Sequence, residues 1–107
     1  MFAHRSDSGY EQSAPGITRK TLVYGKETLM AEFRLKKGSV LPLHAHIHEQ
    51  TGYLVSGHMT LQIGDQKEDI LPGDSWNIPS NAEHGAFVHE YSVAIEVFQP
   101  VRTDYIS

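Results

Sequence analysis

Leu43-His44-Ala45-His46-Ile47-His48-Glu49-Gln50 follows directly on Gly38-Ser39-Val40-Leu41-Pro42, so an apolar segment opens into alternating histidines. Side chains of an extended segment alternate between two faces. In that conformation His44, His46, His48 and Gln50 share one face, which then carries three imidazoles and an amide. Neutral imidazole is the commonest protein metal ligand and titrates near neutrality. A further histidine, His84, stands some distance on, after Pro79-Ser80-Asn81. Two clusters this far apart in sequence predict a metal held between two strands.

The segments on either side read as short strands. Leu29, Ala31, Phe33 and Leu35 alternate with Met30, Glu32 and Arg34, the period of a half-buried strand. Tyr24-Gly25-Lys26-Glu27 before it predicts a hairpin turn. Further strands are expected at roughly 49–56, 59–63, 66–70, 75–78, 85–89 and 92–98. Ser56-Gly57, Gly64-Asp65, Pro72-Gly73-Asp74 and Pro79-Ser80-Asn81 supply the breaks between them. No stretch has helical periodicity with caps. Many short strands separated by Gly/Pro turns predict an all-β sandwich or barrel.

At 107 residues the chain has room for a single domain. Residues 1–16 are polar, end in Ala14-Pro15-Gly16, and read as an N-terminal arm or edge segment; residues 17–107 form the barrel domain. Nine basic residues against thirteen acidic give a net charge of −4, with no basic cluster beyond Lys36-Lys37. That balance argues against nucleic acid, whose phosphates need a basic face. No apolar run nears the roughly 20 residues that span a bilayer, and Met1–Asp7 has no apolar signal region, so no membrane is expected and cytoplasmic residence is. The absence of cysteine removes disulfides, thiolate ligands and a cysteine nucleophile.

Gly38-Ser39-Val40-Leu41-Pro42-Leu43-His44-Ala45-His46, followed by Gln50 and Gly57, resembles the first cupin motif. Gly73-Asp74-Ser75-Trp76-Asn77-Ile78-Pro79, followed by His84, resembles the second. The resemblance implies a single-domain cupin, an antiparallel jelly-roll β-barrel, usually a homodimer, with one divalent transition metal per chain. It implies His44, His46 and His84 as metal ligands. Where cupins commonly carry a glutamate this chain carries Gln50, so the amide oxygen becomes the implied fourth ligand. Three imidazoles and an amide are all neutral and leave a bound dication its full charge, which favours anionic ligands. Nitrogen and oxygen ligation fits Zn, Ni, Fe, Mn or Co alike. His48 reads as a rim residue, His4, His58 and His89 as exposed, and Trp76 and Phe87 as core or dimer surface.

The C-terminal segment Ala94-Ile95-Glu96-Val97-Phe98-Gln99-Pro100-Val101-Arg102 sets Glu96 and Phe98 on one strand face, with apolar Ile95 and Val97 on the other. A carboxylate on such a strand is desolvated, which raises its pKa toward the range useful for proton transfer. Arg102, just past Pro100, is placed to fold its guanidinium over the barrel mouth, where it suits a carboxylate. This tail resembles that of the pectin-degradation proteins, cupins that convert 4,5-unsaturated monouronates into linear keto forms. The resemblance implies Glu96 as the catalytic acid–base residue, where the subgroup usually has aspartate, and Phe98 and Arg102 as binders of a small anionic, sugar-like substrate. Two other readings are a metal-dependent cupin dioxygenase and a non-catalytic sugar- or small-molecule-binding cupin.

Overall fold

Period-two alternation becomes eight strands in a computed structural model of the chain, which describes residues 1–106. They are β1 (Glu11–Ala14), β2 (Ile17–Tyr24), β3 (Leu29–Leu35), β4 (Val40–His44), β5 (Glu49–Ile63), β6 (Gln66–Ile70), β7 (Ser75–Ile78) and β8 (His84–Gln99). A single 3-10 turn at Thr103–Tyr105 follows. The expected β2–β3 hairpin is present, closed by the Gly25 N–H donating to the Thr28 carbonyl at 2.9 Å. Along β3 the alternation holds too: Leu29, Ala31 and Leu35 are buried and Met30 is exposed. Among the described residues no helix is long and apolar enough to cross a membrane.

Every strand pairing is antiparallel, in the order β1-β2-β3-β8-β5-β6, with β4 added on β8 and β7 on β5. The long strands β5 and β8 each serve two sheets. The C-terminal half of β8 pairs with β3 and with the start of β5, which also carries β7. The N-terminal half of β8 pairs with β4 and with the end of β5, which also carries β6. Two sheets sharing two bent strands make the antiparallel jelly-roll barrel. Its main core includes Ile17, Leu54, Ile78 and Val88; each such side chain contributes roughly 1.5–3 kcal/mol on burial. A smaller cluster of Leu29, Ala31 and Phe98, covered by Val101, Tyr105 and Ile106, closes one end.

Two expectations from the sequence pattern are corrected. Ser56-Gly57 does not end a strand: β5 runs through it as a bulged bend, with the register against β8 slipping between Leu54 and Met59. Gly57 has φ +101°, and a Cβ there would overlap Ser92 and the Tyr91 carbonyl. The interrupted ladder is satisfied by the Ser92 hydroxyl, which accepts from the His58 N–H at 3.1 Å and donates to the Glu90 carbonyl at 2.8 Å. For the same reason the two segments expected at 85–89 and 92–98 are one strand, β8. The second correction concerns the histidine run. β4 stops at His44 and β5 starts at Glu49, so residues 45–48 form a loop and His46 does not share a strand face with His44 and Gln50.

The N-terminal segment is fastened along β3. The Tyr10 hydroxyl bonds the Glu32 carboxylate, and the Arg34 guanidinium lies 3.9 Å from the Tyr10 ring centroid. β1 then pairs with β2 as an edge strand.

Candidate active site

Between the two sheets opens a cavity of about 360 Å³ whose polar lining includes His44, His46, Gln50, His84, Glu96 and Arg102. The end of β4 supplies His44 and the first residue of β8 supplies His84; the two are register partners. His46 arrives from the 45–48 loop. That loop is tied to the turn before β8, because the Asn81 N–H donates to the His46 carbonyl at 2.8 Å and the Ser80 hydroxyl to that of Ile47. Asn81 tolerates the left-handed backbone this needs, with φ +66°. Loop and turn therefore carry the two sequence-distant motifs to one place.

The three imidazoles converge so that one nitrogen of each lies within 4.8 Å of the others. Each Nδ1 meets a carbonyl oxygen two residues away: His44 that of Pro42 at 2.9 Å, His46 that of His48 at 3.0 Å, His84 that of Ala82 at 2.9 Å. A carbonyl only accepts, so each Nδ1 carries the proton and each Nε2 presents its lone pair. Gln50 Oε1 lies 3.2 Å from His46 Nε2. Two acceptor atoms face to face are stabilised by a shared cation, so the donor set fits a divalent metal. Burial, and for His46 next the Arg102 guanidinium, holds the imidazoles of His46 and His84 below the ordinary histidine pKa and keeps them neutral. For His84 the Ala82 hydrogen bond acts the other way.

Glu96 points inward from β8 and is buried, 6% exposed. The Trp76 indole donates to its Oε1 at 3.0 Å, while Oε2 is buried with no hydrogen-bond partner. Burial pushes the carboxyl from 4.5 up to about 7, against the opposing pull of the Gln50 amide and the Trp76 indole. Neither Trp76 nor its support was picked out from sequence as part of the site. Trp76, Gly52 and Glu96 are register partners in a row across β7, β5 and β8. Gly52 lacks the side chain that would occupy the middle position, and a Cβ there would overlap the indole. The tryptophan reaches Glu96 over that gap. A glycine inside a strand was the signal, since it marks a close approach.

The tail closes the other side. Phe98 is buried with its ring centroid 6.0 Å from that of His46, and Tyr105 packs edge-on against it at 5.5 Å. Arg102 pairs with Asp104 through Nε at 3.2 Å and Nη2 at 2.8 Å, and its guanidinium stands 4.0 Å from the Tyr105 ring centroid. Nη1 makes no hydrogen bond among the described residues, so the guanidinium keeps a donor edge for an incoming anion. Tyr105, which also packs under Arg19 at 3.9 Å, is a further cavity residue that sequence reasoning missed. His48 lies outside the converging triplet, half-buried, with its ring centroid 5.6 Å from that of His46. His58 and His89, expected to be exposed, are half-buried on the outer face.

A family model described as a cupin domain matches residues 31–97, a span that includes both motifs. The chain belongs to the cupin family. This cupin is 29% identical over 102 residues to the pectin degradation protein KdgF of Dickeya dadantii (strain 3937), across 94% of this chain and 93% of that one. Its structure matches that of KdgF from Halomonas sp. with a TM-score of 0.93 and 29% identity, covering 99% of this chain and 98% of the other. An RmlC-like cupin from Shewanella frigidimarina NCIMB 400 matches with a TM-score of 0.92 and 27% identity, covering 98% and 95%.

Proposed function

We propose that this cupin is a metal-dependent isomerase that linearises 4,5-unsaturated monouronates from pectin or alginate breakdown. The carrying observation is Glu96: a buried carboxyl with one oxygen held by Trp76 and the other unpartnered, inside the histidine cavity. The likeness to KdgF, a pectin degradation protein, supports the substrate class. In this reading His44, His46, His84 and Gln50 hold the metal. When bound, a divalent ion supplies Lewis-acid stabilisation of negative charge on a substrate oxygen.

The reaction is a redistribution of protons and bonds with no net gain or loss. The anomeric hydroxyl gives up its proton and becomes an aldehyde as the bond from the anomeric carbon to the ring oxygen breaks. The ring oxygen leaves as an enol, which becomes a ketone as the far carbon of the double bond is protonated. Glu96 holds and delivers that proton, its carboxyl oriented by the indole so that Oε2 is the delivering atom. Arg102 takes the uronate carboxylate on its uncommitted donor edge, and Phe98 and Tyr105 form the apolar wall that keeps water from the enol. The homodimer expected from the resemblance belongs to the same proposal; exposed Val40 and Phe87, register partners on β4 and β8, are apolar surface it would bury.

The test is to incubate protein of measured metal content with an unsaturated monouronate and follow loss of the conjugated enol's absorbance. Acceleration over buffer is expected. A folded, metallated protein that gives the buffer rate removes the proposal.

A further inference from the structure

A second constellation of donors lies on the outer face, where β5, β6 and β8 run side by side. His58 from β5, Asp69 from β6 and His89 from β8 each offer a ligand atom, and the three atoms lie within 4.8 Å of one another. We propose that His58, Asp69 and His89 form a separate outer site for a transition-metal dication such as Zn²⁺, whose binding clips the edge strand β6 to β5 and β8.

Three observations support it. First, His58 Nε2 and Asp69 Oδ1 are 3.6 Å apart; two ligands about 2.1 Å from an ion at a tetrahedral angle are about 3.4 Å apart, so little movement is needed. Second, the donors are already oriented. The Thr60 hydroxyl gives its one proton to Asp69 Oδ1 at 2.9 Å, so its oxygen accepts from His89 Nε2–H at 2.7 Å; one side chain holds the carboxylate and an imidazole together, and an ion bound through Nε2 replaces that proton. Thr60 and Asp69 are register partners, which sets this contact by backbone pairing. Third, the imidazoles are packed: the rings of His58 and His89 lie 4.4 Å apart, and Phe87 packs edge-on against His89 at 4.9 Å.

Two imidazoles and one carboxylate suit Zn²⁺, Ni²⁺ or Cu²⁺ and are a poor set for Mg²⁺ or Ca²⁺, which prefer oxygen. The single carboxylate leaves the bound ion a net +1, and the donor set leaves a coordination position to water. The placement gives the clip its role. Among the described residues β6 is bonded only to β5, at the end of the sheet order, so a tie to both β5 and β8 restrains an edge. The tie also lies beside the bulge, where the β5–β8 ladder is interrupted.

Titration with Zn²⁺ followed by elemental analysis tests the site independently of any turnover. The wild type should take up two equivalents per chain. His58→Ala/His89→Ala should take up one, and His44→Ala/His84→Ala should keep the outer one. Asp69→Asn, which preserves shape, should weaken the outer equivalent at least tenfold. In the His44→Ala/His84→Ala background, saturating Zn²⁺ should raise Tm by roughly 5 °C or more, and adding Asp69→Asn should abolish the rise. Zinc-soaked wild-type crystals should show anomalous density between His58 and His89 even if a variant fails to fold. One equivalent in the wild type, two in the His58→Ala/His89→Ala variant, or crystals with zinc only at His84 would overturn the proposal.

Discussion

Two histidine clusters stand on opposite faces of one barrel, and each has a carboxylate beside it. Inside, the converging donors are neutral, and the carboxyl of Glu96 stands apart from them, buried and pushed up to about 7. Outside, Asp69 is itself one of the converging donors; it is exposed, and hydrogen bonding from Thr60 holds its carboxyl below the usual aspartate range. Solvation explains the division. A carboxylate in water is cheap to ionise and serves as a charged ligand, whereas a buried one keeps its proton to neutral pH and serves as an acid.

Exchanging each carboxyl for its amide is the sharpest way to break this comparison. Glu96→Gln should lower uronate turnover roughly 10²–10⁴-fold while leaving the inner metal in place by elemental analysis. Asp69→Asn should leave turnover unchanged and weaken the outer metal at least tenfold. If both variants lose metal and keep turnover, the assigned roles are wrong.

The pH dependence of stability should separate the same two groups in metal-free protein. Glu96 has a folded pKa above its ordinary value, so the folded state binds the extra proton between pH 4.5 and about 7. Its contribution to stability is therefore full below pH 4.5 and is lost by about pH 7, a change of about 3 kcal/mol. Denaturant unfolding of wild type against Glu96→Gln should show that decline. Asp69, with its pKa depressed, acts in the opposite sense: its contribution is present above the ordinary aspartate range and is lost as acid is added. Asp69→Asn should differ from wild type in slope only on the acid side.

Gly52→Ala asks whether Glu96 depends on its tryptophan. The added methyl forces the indole aside and should cost roughly 1–3 kcal/mol of overpacking, with a loss of turnover exceeding any loss of metal. Thermal unfolding and metal content together check this. The smallest effect is expected at the rim: Arg102→Lys should raise KM about tenfold with kcat little changed, because a point charge replaces the planar fork. An unchanged KM would make Arg102 a partner of Asp104 alone.

The motifs were legible because they combine residue type with fixed spacing. His44, His46, Gln50 and His84 surround one cavity, although the strand-parity argument that grouped them fails at the loop. Glu96 was readable from apolar neighbours on both sides of it. Trp76 and Gly52 were not, since their role depends on a row running across three strands, which is a matter of register. His58 and His89 looked like isolated surface residues, because the bulge that brings them together is coded by a glycine that equally predicts a turn. Arg102 was placed over the mouth from its position past Pro100, while Tyr105 needed the tail's path to be known.

One detail of the inner cluster bears on how this molecule can vary. The partner of the Nδ1 of His44, His46 and His84 is in each case a peptide carbonyl, that of Pro42, His48 or Ala82. Side-chain partners can be deleted by one nucleotide change; a peptide carbonyl stays whatever residue bears it. Genetic drift at positions 42, 48 and 82 can therefore leave ring orientation intact so long as the backbone path survives. The centre's tolerance to mutation should thus be governed by the residues that shape that path, Asn81 among them, more than by its immediate neighbours.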